Sequence, residues 1–317
     1  MVSTARLRLF RRAICALSLV LSPFLLTACG GGGGSSVASD GPPGSVYGTL
    51  AEKPASSLTE ADLLHFLERT HWGRTDAAWN RLTEIGFTRF VDEMFDFAPI
   101  GSTEHEAVAA QRLLNEDDPA GQEGLFPSHS DLTEWHLHLL MHNPNPFQEV
   151  LAFFWHGHFA TSSQALGTGS LHWMKDHINL FREKGAGNLK QLVLDVSRDA
   201  AMLRWLDGLD SRRGAPNENY AREFFELFCL GVDNGYTQED IVEASRAFTG
   251  YLLIAIDEET GLYGVTFEPG RHDSEDKTVL GFLIPGQEET DDYQAVVDIT
   301  FSERNAAEWF ARAILRA

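Results

Sequence analysis

The chain has 317 residues, and its 46 Asp and Glu against 25 Lys and Arg give a formal net charge of −21. This excess of negative charge makes nucleic acid and anionic lipid surfaces poor partners, because both repel an acidic protein. The length is sufficient for one large domain or two modest ones after a leader and a linker.

The N-terminal residues 1–28 have the features of a secretory signal. Four arginines precede an apolar stretch from Ala13 to Leu26, and Leu26-Thr27-Ala28-Cys29 follows. This order predicts a bacterial lipoprotein signal, in which Cys29 carries the lipid and becomes the mature N-terminus. A transmembrane anchor is the alternative, but the apolar stretch is shorter than the ~20 residues that span a bilayer. Gly30 at the second mature position favours the periplasmic side of the outer membrane.

Two segments follow the predicted signal. Residues 29–48 are rich in Gly, Ser and Pro and predict a flexible tether, because they offer little apolar surface to bury. Residues 49–317 contain no second linker of this kind, so we interpret them as one domain.

The first part of this domain has helical periodicity. Thr59 and Asp62 form a capping box ahead of an amphipathic stretch. Two further stretches, 77–85 and 87–95, have the same period and are separated by a glycine. The span 101–130 is polar and interrupted, which predicts a surface loop.

Strands are predicted in one place only. Tyr251 to Ile256 and Leu262 to Phe267 are apolar, and the sequence DEETG between them is a plausible hairpin turn. The fold class expected is therefore mainly α, an irregular multi-helix domain with a small β-hairpin arm.

The first candidate site consists of Glu149, His156 and His158. Pro146 can open a helix in which Glu149 and His156 share one face. Gly157 could let the last turn unwind and bring both imidazoles to one point. Two histidines and a carboxylate are a suitable ligand set for Zn or Fe. The alternative is that both histidines lie at a helix C-terminus, where the dipole favours them, while neighbouring aromatic residues form the core.

The second candidate is the acidic helix that begins after Pro216. Glu218, Arg222 and Glu226 are spaced by four and predict a ladder of ion pairs, while Glu223 lies three residues before Glu226. Glu223 and Glu226 are candidates for a metal ligand or general base, and Arg222 for a binding residue. The alternative is a structural ladder in which Arg222 satisfies Glu218 and Glu226.

The third candidate is the sequence RHDSEDKT, predicted to be an exposed loop. Asp273 could orient His272, and Lys277 could bind an anionic substrate. A charged turn without a binding role is the alternative.

Four ordered motifs resemble those of the bacterial family DUF1800, a domain of unknown function. They are FWHGHFAT ending at Thr161, DAAMLRWLD at Asp199–Asp207, the stretch from Pro216 to Gly250, and HDSEDKTVLG at His272–Gly281. The resemblance covers roughly Leu58 to the end. Because the family normally continues further, it implies a domain that is incomplete at the C-terminus. It also implies a partner, since family members are often encoded beside a secreted protein resembling sulfatases and alkaline phosphatases.

Two functions from different classes follow from these residues. One is a metal-assisted hydrolase that acts on a cell-envelope or imported polymer, with Zn or Fe held by His156, His158 and Glu149. The other is a non-catalytic, lipid-tethered helical scaffold that binds a partner, in which the motifs fix the fold. The chain lacks a G-x-S-x-G elbow, a P-loop and a dinucleotide fingerprint, which disfavours serine hydrolases and nucleotide-dependent enzymes.

Overall fold

A computed structural model describes residues 57–111, 128–166, 171–257, 262–288 and 290–316. The predicted signal, the tether and Cys29 lie outside the described residues. Within those residues, no helix combines the length and the apolar character needed to cross a membrane. The chain divides into two compact units, with the boundary after Glu93.

The first unit contains the described residues up to Glu93. Its helices are α1 (Glu60–Thr70), α2 (Asp76–Ile85) and most of α3 (Phe87–Met94). The predicted capping box at Thr59 is confirmed, because Thr59 Oγ1 accepts a hydrogen bond from the Asp62 amide at 3.2 Å and the Asp62 carboxylate accepts one from the Thr59 amide. Phe66 of α1 is buried edge-on against Phe87 at 4.9 Å between ring centroids.

The second unit begins with helices α4 to α10. Their bounds are Glu104–Gln111, His129–His142, Pro146–His158, Ser163–Leu166, Leu171–Lys184, Leu189–Ser197 and Ala200–Trp205. Helix α6 packs against α8. The interpretation of 101–130 as a loop is wrong where α4 forms, because Ala109 on that helix is fully buried. Residues 112–127 of that span lie outside the described residues.

The rest of the second unit is built around an aromatic core. Helices α11 (Glu218–Glu223), α12 (Gln238–Ala247), α13 (Tyr293–Ser302) and α14 (Arg304–Arg316) complete the helical body. A π-helical segment, Phe224–Cys229, follows α11 directly. Tyr220 of α11 and Tyr293 of α13 both pack against Phe248, at 4.9 and 4.7 Å between ring centroids.

Two small antiparallel hairpins accompany the helices. The predicted one is confirmed as β1 (Tyr251–Asp257) and β2 (Leu262–Phe267), with a register shift between Ala255 and Asp257. The second, β3 (Lys277–Val279) and β4 (Phe282–Ile284), was not predicted. Its turn is Leu280-Gly281, with φ of +51° and +79°, as a two-residue hairpin turn requires. The fold is thus mainly α with small β-hairpins.

Candidate functional site

Glu149 is buried in a network with an arginine rather than exposed to a site. Arg182 of α8 donates from Nε to Glu149 Oε1 at 2.9 Å and from Nη2 to Glu106 Oε1 at 2.8 Å. Asn143 Nδ2 donates to the same Glu149 oxygen at 2.6 Å. The side chains of Glu149 and Arg182 are almost fully buried. The guanidinium supplies the counter-charge that a buried carboxylate requires.

His158 faces a backbone carbonyl of the π-helical segment. Its Nε2 lies 2.9 Å from the carbonyl oxygen of Phe228, so that nitrogen carries the proton and donates. Burial lowers the pKa of His158, and the bond to Phe228 opposes this shift in part. His158 therefore connects the end of α6 to the acidic helix region through a structural bond.

His156 points instead towards His177 of α8. The two rings meet nearly at right angles with 5.7 Å between their centroids. His177 is fully buried, with Nδ1 2.8 Å from Asp199 Oδ2 and Nε2 3.3 Å from the carbonyl oxygen of Phe159. The Asp199 carboxylate can only accept, so Nδ1 of His177 carries a proton and donates to it. Burial, and after it the charge of His177, lowers the pKa of half-buried His156 to about 4.

A further histidine belongs to the same neighbourhood. Burial, with smaller contributions from His156 and Arg182, lowers the pKa of His136 on α5 to about 4. His136 and His156 are therefore neutral at physiological pH, next to the hydrogen-bonded His177–Asp199 pair. The arrangement joins α5, α6 and α8 to the N-cap of α10, because Asp199 Oδ2 also accepts from the amide of Met202 at 2.9 Å.

The predicted convergence of Glu149, His156 and His158 is wrong in this structure. Helix α6 continues to His158, so Gly157 does not unwind the last turn. Side chains two residues apart on a helix point to different sides, and the two imidazoles enter separate environments. Glu149 is bound to Arg182. Among the described residues, no group of three or more His, Cys, Asp or Glu side chains is arranged to hold a metal ion.

The acidic helix contains the predicted ladder. Arg222 lies 3.1 Å from Glu218 and 3.7 Å from Glu226, and Gln238 of α12 donates to the same Glu218 oxygen at 2.8 Å. Burial, and after it the charge of Glu226, raises the pKa of Glu223, while Arg222 opposes this shift. The predicted ladder is therefore present, and the binding role of Arg222 stays a prediction.

The acidic helix changes its hydrogen-bond pattern at Phe224. From there to Cys229 it is π-helical, and the amides of Leu230 and Gly231 both donate to the carbonyl oxygen of Phe225. Such segments are rare and are frequent at functional sites. The sequence contained no signal for it, because the apolar residues of this segment fit an ordinary helix as well.

The interpretation of RHDSEDKT as an exposed loop is wrong for its key residues. His272 and Lys277 are fully buried, and both contact Asp292 Oδ2, at 3.2 Å from His272 Nε2 and 2.8 Å from Lys277 Nζ. Asp273 is bound by Arg246 of α12 at 2.9 Å. Burial acts to raise the pKa of Asp273, but the bonds from Arg246 outweigh it, and the pKa is lowered. Lys277 is therefore not placed to meet a substrate at the surface.

Several residues of these networks were not predicted, among them His177, Arg182, Asp199 and Asp292. Asp199 lies inside one of the family-like motifs, but no role was predicted for it from the sequence. Arg182 follows Phe181, and both are buried on α8. An arginine among the apolar residues of a helix indicates a buried ion pair, because a charged side chain is seldom buried without a partner.

The fold and these sites together define a mainly α protein whose motif residues are joined in buried polar networks. The chain belongs to the family described as protein of unknown function (DUF1800), which matches residues 65–317. The match includes all four motifs. No curated protein and no solved structure was found to be similar to the chain.

Proposed function

We propose that the protein is a lipid-anchored envelope protein whose helical domain is a non-catalytic scaffold that binds a partner. One observation supports this proposal above others: three ionisable residues of the candidate sites are bound to another side chain or to backbone inside the fold. Glu149 is bound by Arg182, His158 by Phe228, and Lys277 by Asp292. A catalytic constellation would instead present such groups to a bound substrate.

These buried pairs connect elements that are far apart in the sequence. Arg182 on α8 binds Glu106 on α4 and Glu149 on α6. Removing one member of such a pair leaves an unpaired buried charge and costs about 3–5 kcal/mol. In a scaffold, substitutions in these pairs therefore lower the free energy of unfolding.

The β1–β2 hairpin is the surface that we assign to the partner. Leu253, Ile254, Ile256 and Tyr263 are exposed on it, with Ile256 at 61%. The hairpin is held to the helical body in part by Trp173, whose indole Nε1 donates to the carbonyl oxygen of Tyr263 at 3.0 Å. An exposed apolar group of this kind is typical of a protein-binding surface. The occupant that we propose is the secreted sulfatase- or phosphatase-like protein encoded beside members of the family.

The binding of that partner can be measured by calorimetry with the purified proteins, using a Cys29→Ser form that remains in solution. We expect Ile256→Lys to weaken binding about 10-fold or more, since a central apolar contact is worth 1.4 kcal/mol or above. Leu283→Lys on β4 is the matched control, because Leu283 is equally exposed, at 62%, on the other hairpin. Equal affinity of both variants and the wild type contradicts the assignment.

The anchor has a separate test. Cys29→Ser should abolish both the uptake of a labelled fatty acid and association with membranes, if Cys29 is the lipid attachment site. Wild-type protein that takes up no label, together with a variant that still sediments with membranes, contradicts the lipoprotein proposal.

A second candidate function is the hydrolysis of a cell-envelope or imported polymer. The observation that favours it is the half-buried, neutral imidazole of His156 beside the His177–Asp199 pair. A neutral imidazole is the form that binds Zn or Fe, and in this proposal the metal uses neither Glu149 nor His158. Elemental analysis of the untagged wild-type protein and of His156→Ala distinguishes the hydrolase from the scaffold. Stoichiometric metal in the wild type that is lost in the variant supports the hydrolase, and equal substoichiometric amounts support the scaffold.

A further inference from the structure

Lys277 and Asp292 form a buried contact between an amine and a carboxylate. Lys277 Nζ lies 2.8 Å from Asp292 Oδ2, and neither side chain is exposed. The two residues come from β3 and from the N-cap position of α13. Asp292 makes no side-chain capping bond to α13, so its carboxylate is turned towards the lysine instead.

The third group at this contact is His272. Its Nε2 lies 3.2 Å from the same Asp292 oxygen, and its Nδ1 lies 3.0 Å from the carbonyl oxygen of Thr249. The carboxylate oxygen can only accept, so Nε2 carries a proton and donates to Oδ2. A proton donor therefore stands against the carboxylate oxygen that the lysine also contacts.

The other oxygen of Asp292 has no partner. Oδ1 is buried and accepts no hydrogen bond. The side chains of Lys277, Asp292 and His272 are all buried, so bulk solvent does not reach them. Leaving a buried charged oxygen unsatisfied is costly, whereas a neutral carbonyl oxygen at the same place costs less.

We propose that Lys277 and Asp292 react to form an intramolecular amide, with His272 as the catalytic acid and base. Nζ attacks Cγ, a C–N bond forms, and the Cγ–Oδ2 bond breaks. His272 Nε2 gives its proton to Oδ2 and regains one from Nζ. Two of the three ammonium protons leave with Oδ2 as water, and Oδ1 becomes the carbonyl oxygen of the amide. Ammonium and carboxylate are both consumed, so charge balances without an oxidant or co-reactant.

The geometry is suited to this attack. Because a carbon–oxygen bond of this type is about 1.23 Å, Cγ lies within about 4 Å of Nζ, close to the ~3–3.5 Å of a reactive approach. The carbonyl oxygens of Asp273 and Glu275 also accept from Nζ, the latter at 2.8 Å, and fix its position. Exclusion of water favours the reaction further, because a dry interior disfavours separated charges and removes the water that would reverse the step.

Peptide mapping of the wild-type protein tests the proposal directly. Trypsin cuts an unmodified chain after Arg271, Lys277 and Arg304. The amide blocks cleavage at Lys277, so we expect one peptide of residues 272–304 that is lighter than its sequence by one water. Complete cleavage after Lys277 in protein kept folded for several days, with both peptides at their unmodified masses, overturns the proposal.

Variants separate the reaction from a failure to fold. Lys277→Arg keeps the positive charge but cannot form this amide, so trypsin should cut after residue 277 and give peptides 272–277 and 278–304 at their unmodified masses. Asp292→Asn should form the same amide with loss of ammonia instead of water. His272→Gln should slow the reaction by about 100-fold or more, the usual contribution of a positioned acid–base group. Equal rates in His272→Gln and wild type would remove His272 from the proposal, and a water loss in Lys277→Arg would refute it.

Discussion

The networks of Arg182 and Arg222 contain the same residue types at similar distances but differ in burial. Arg182 is 1% exposed and binds Glu149 at 2.9 Å. Arg222 is 38% exposed and binds Glu218 at 3.1 Å. In water the second pair is screened and contributes at most about 1 kcal/mol, whereas breaking the first leaves carboxylates buried without a counter-charge. Burial, rather than the spacing of charges along the sequence, decides which of the two networks holds the fold together.

The largest loss of stability is expected when Arg182 is replaced. Arg182→Met should lower the free energy of unfolding by about 3–5 kcal/mol, because Glu106 and Glu149 lose the cation between them. Urea denaturation followed by circular dichroism measures this change. A loss below about 1 kcal/mol would place the Arg182 network in the same class as the surface ladder.

An intermediate effect is expected at the His177–Asp199 pair. His177→Phe keeps the ring volume but removes the bond to Asp199, and should cost about 1.5–3 kcal/mol, as for a hydrogen bond to a charged group. His172→Phe is the control, because His172 donates to the carbonyl oxygen of Tyr263 at the protein surface. Denaturation curves should show the smaller loss for the control. The reverse order would contradict the role given to burial.

The pH dependence of stability tests whether the fold keeps His136 and His156 neutral. Folding lowers the pKa of His156 and of His136 from 6.5 to about 4. At pH values between about 4 and 6.5 the unfolded chain binds more protons than the folded chain. The free energy of unfolding should therefore decrease as the pH falls below about 6.5. We expect a smaller decrease in a His136→Gln/His156→Gln variant, measured between pH 7 and about 5, where carboxylates contribute little. An unchanged slope would show that these rings are not held neutral by the fold.

The smallest loss of stability is expected at the surface ladder formed by Glu218, Arg222 and Glu226. Arg222→Met should change the free energy of unfolding by less than about 1 kcal/mol, because Glu218 and Glu226 remain in contact with water and Gln238 still donates to Glu218. The change should diminish further in high salt. A loss as large as that of Arg182→Met would refute the comparison.

The sequence predicts those features that depend on near neighbours. The Thr59 capping box, the helix that Pro146 opens, the β1–β2 hairpin and the Arg222 ladder all follow from local spacing, and the structure contains each of them. Partners that are far apart in the sequence were not predictable in this way. Arg182, for example, lies 33 residues from Glu149, and no local spacing relates the two.

The third candidate site shows that a charged sequence does not by itself predict solvent exposure. A charged stretch such as RHDSEDKT predicts solvent exposure, because buried charges are rare without partners. The partner of Lys277 is Asp292, which lies beyond a hairpin that was not predicted. Similarly, the separation of His156 from His158 depended on whether Gly157 interrupts α6, which composition alone did not determine.

The central claim is that the buried charges of the Arg182 network hold the fold together. Its most direct test compares Arg182→Met with the combined variant Glu106→Gln/Glu149→Gln/Arg182→Met by urea denaturation. Replacing a whole buried ion network is often neutral, while breaking it is strongly destabilising. We predict that the combined variant regains most of the 3–5 kcal/mol lost by Arg182→Met, an order-of-magnitude value for such networks. A combined variant that is as unstable as the single one would contradict the account.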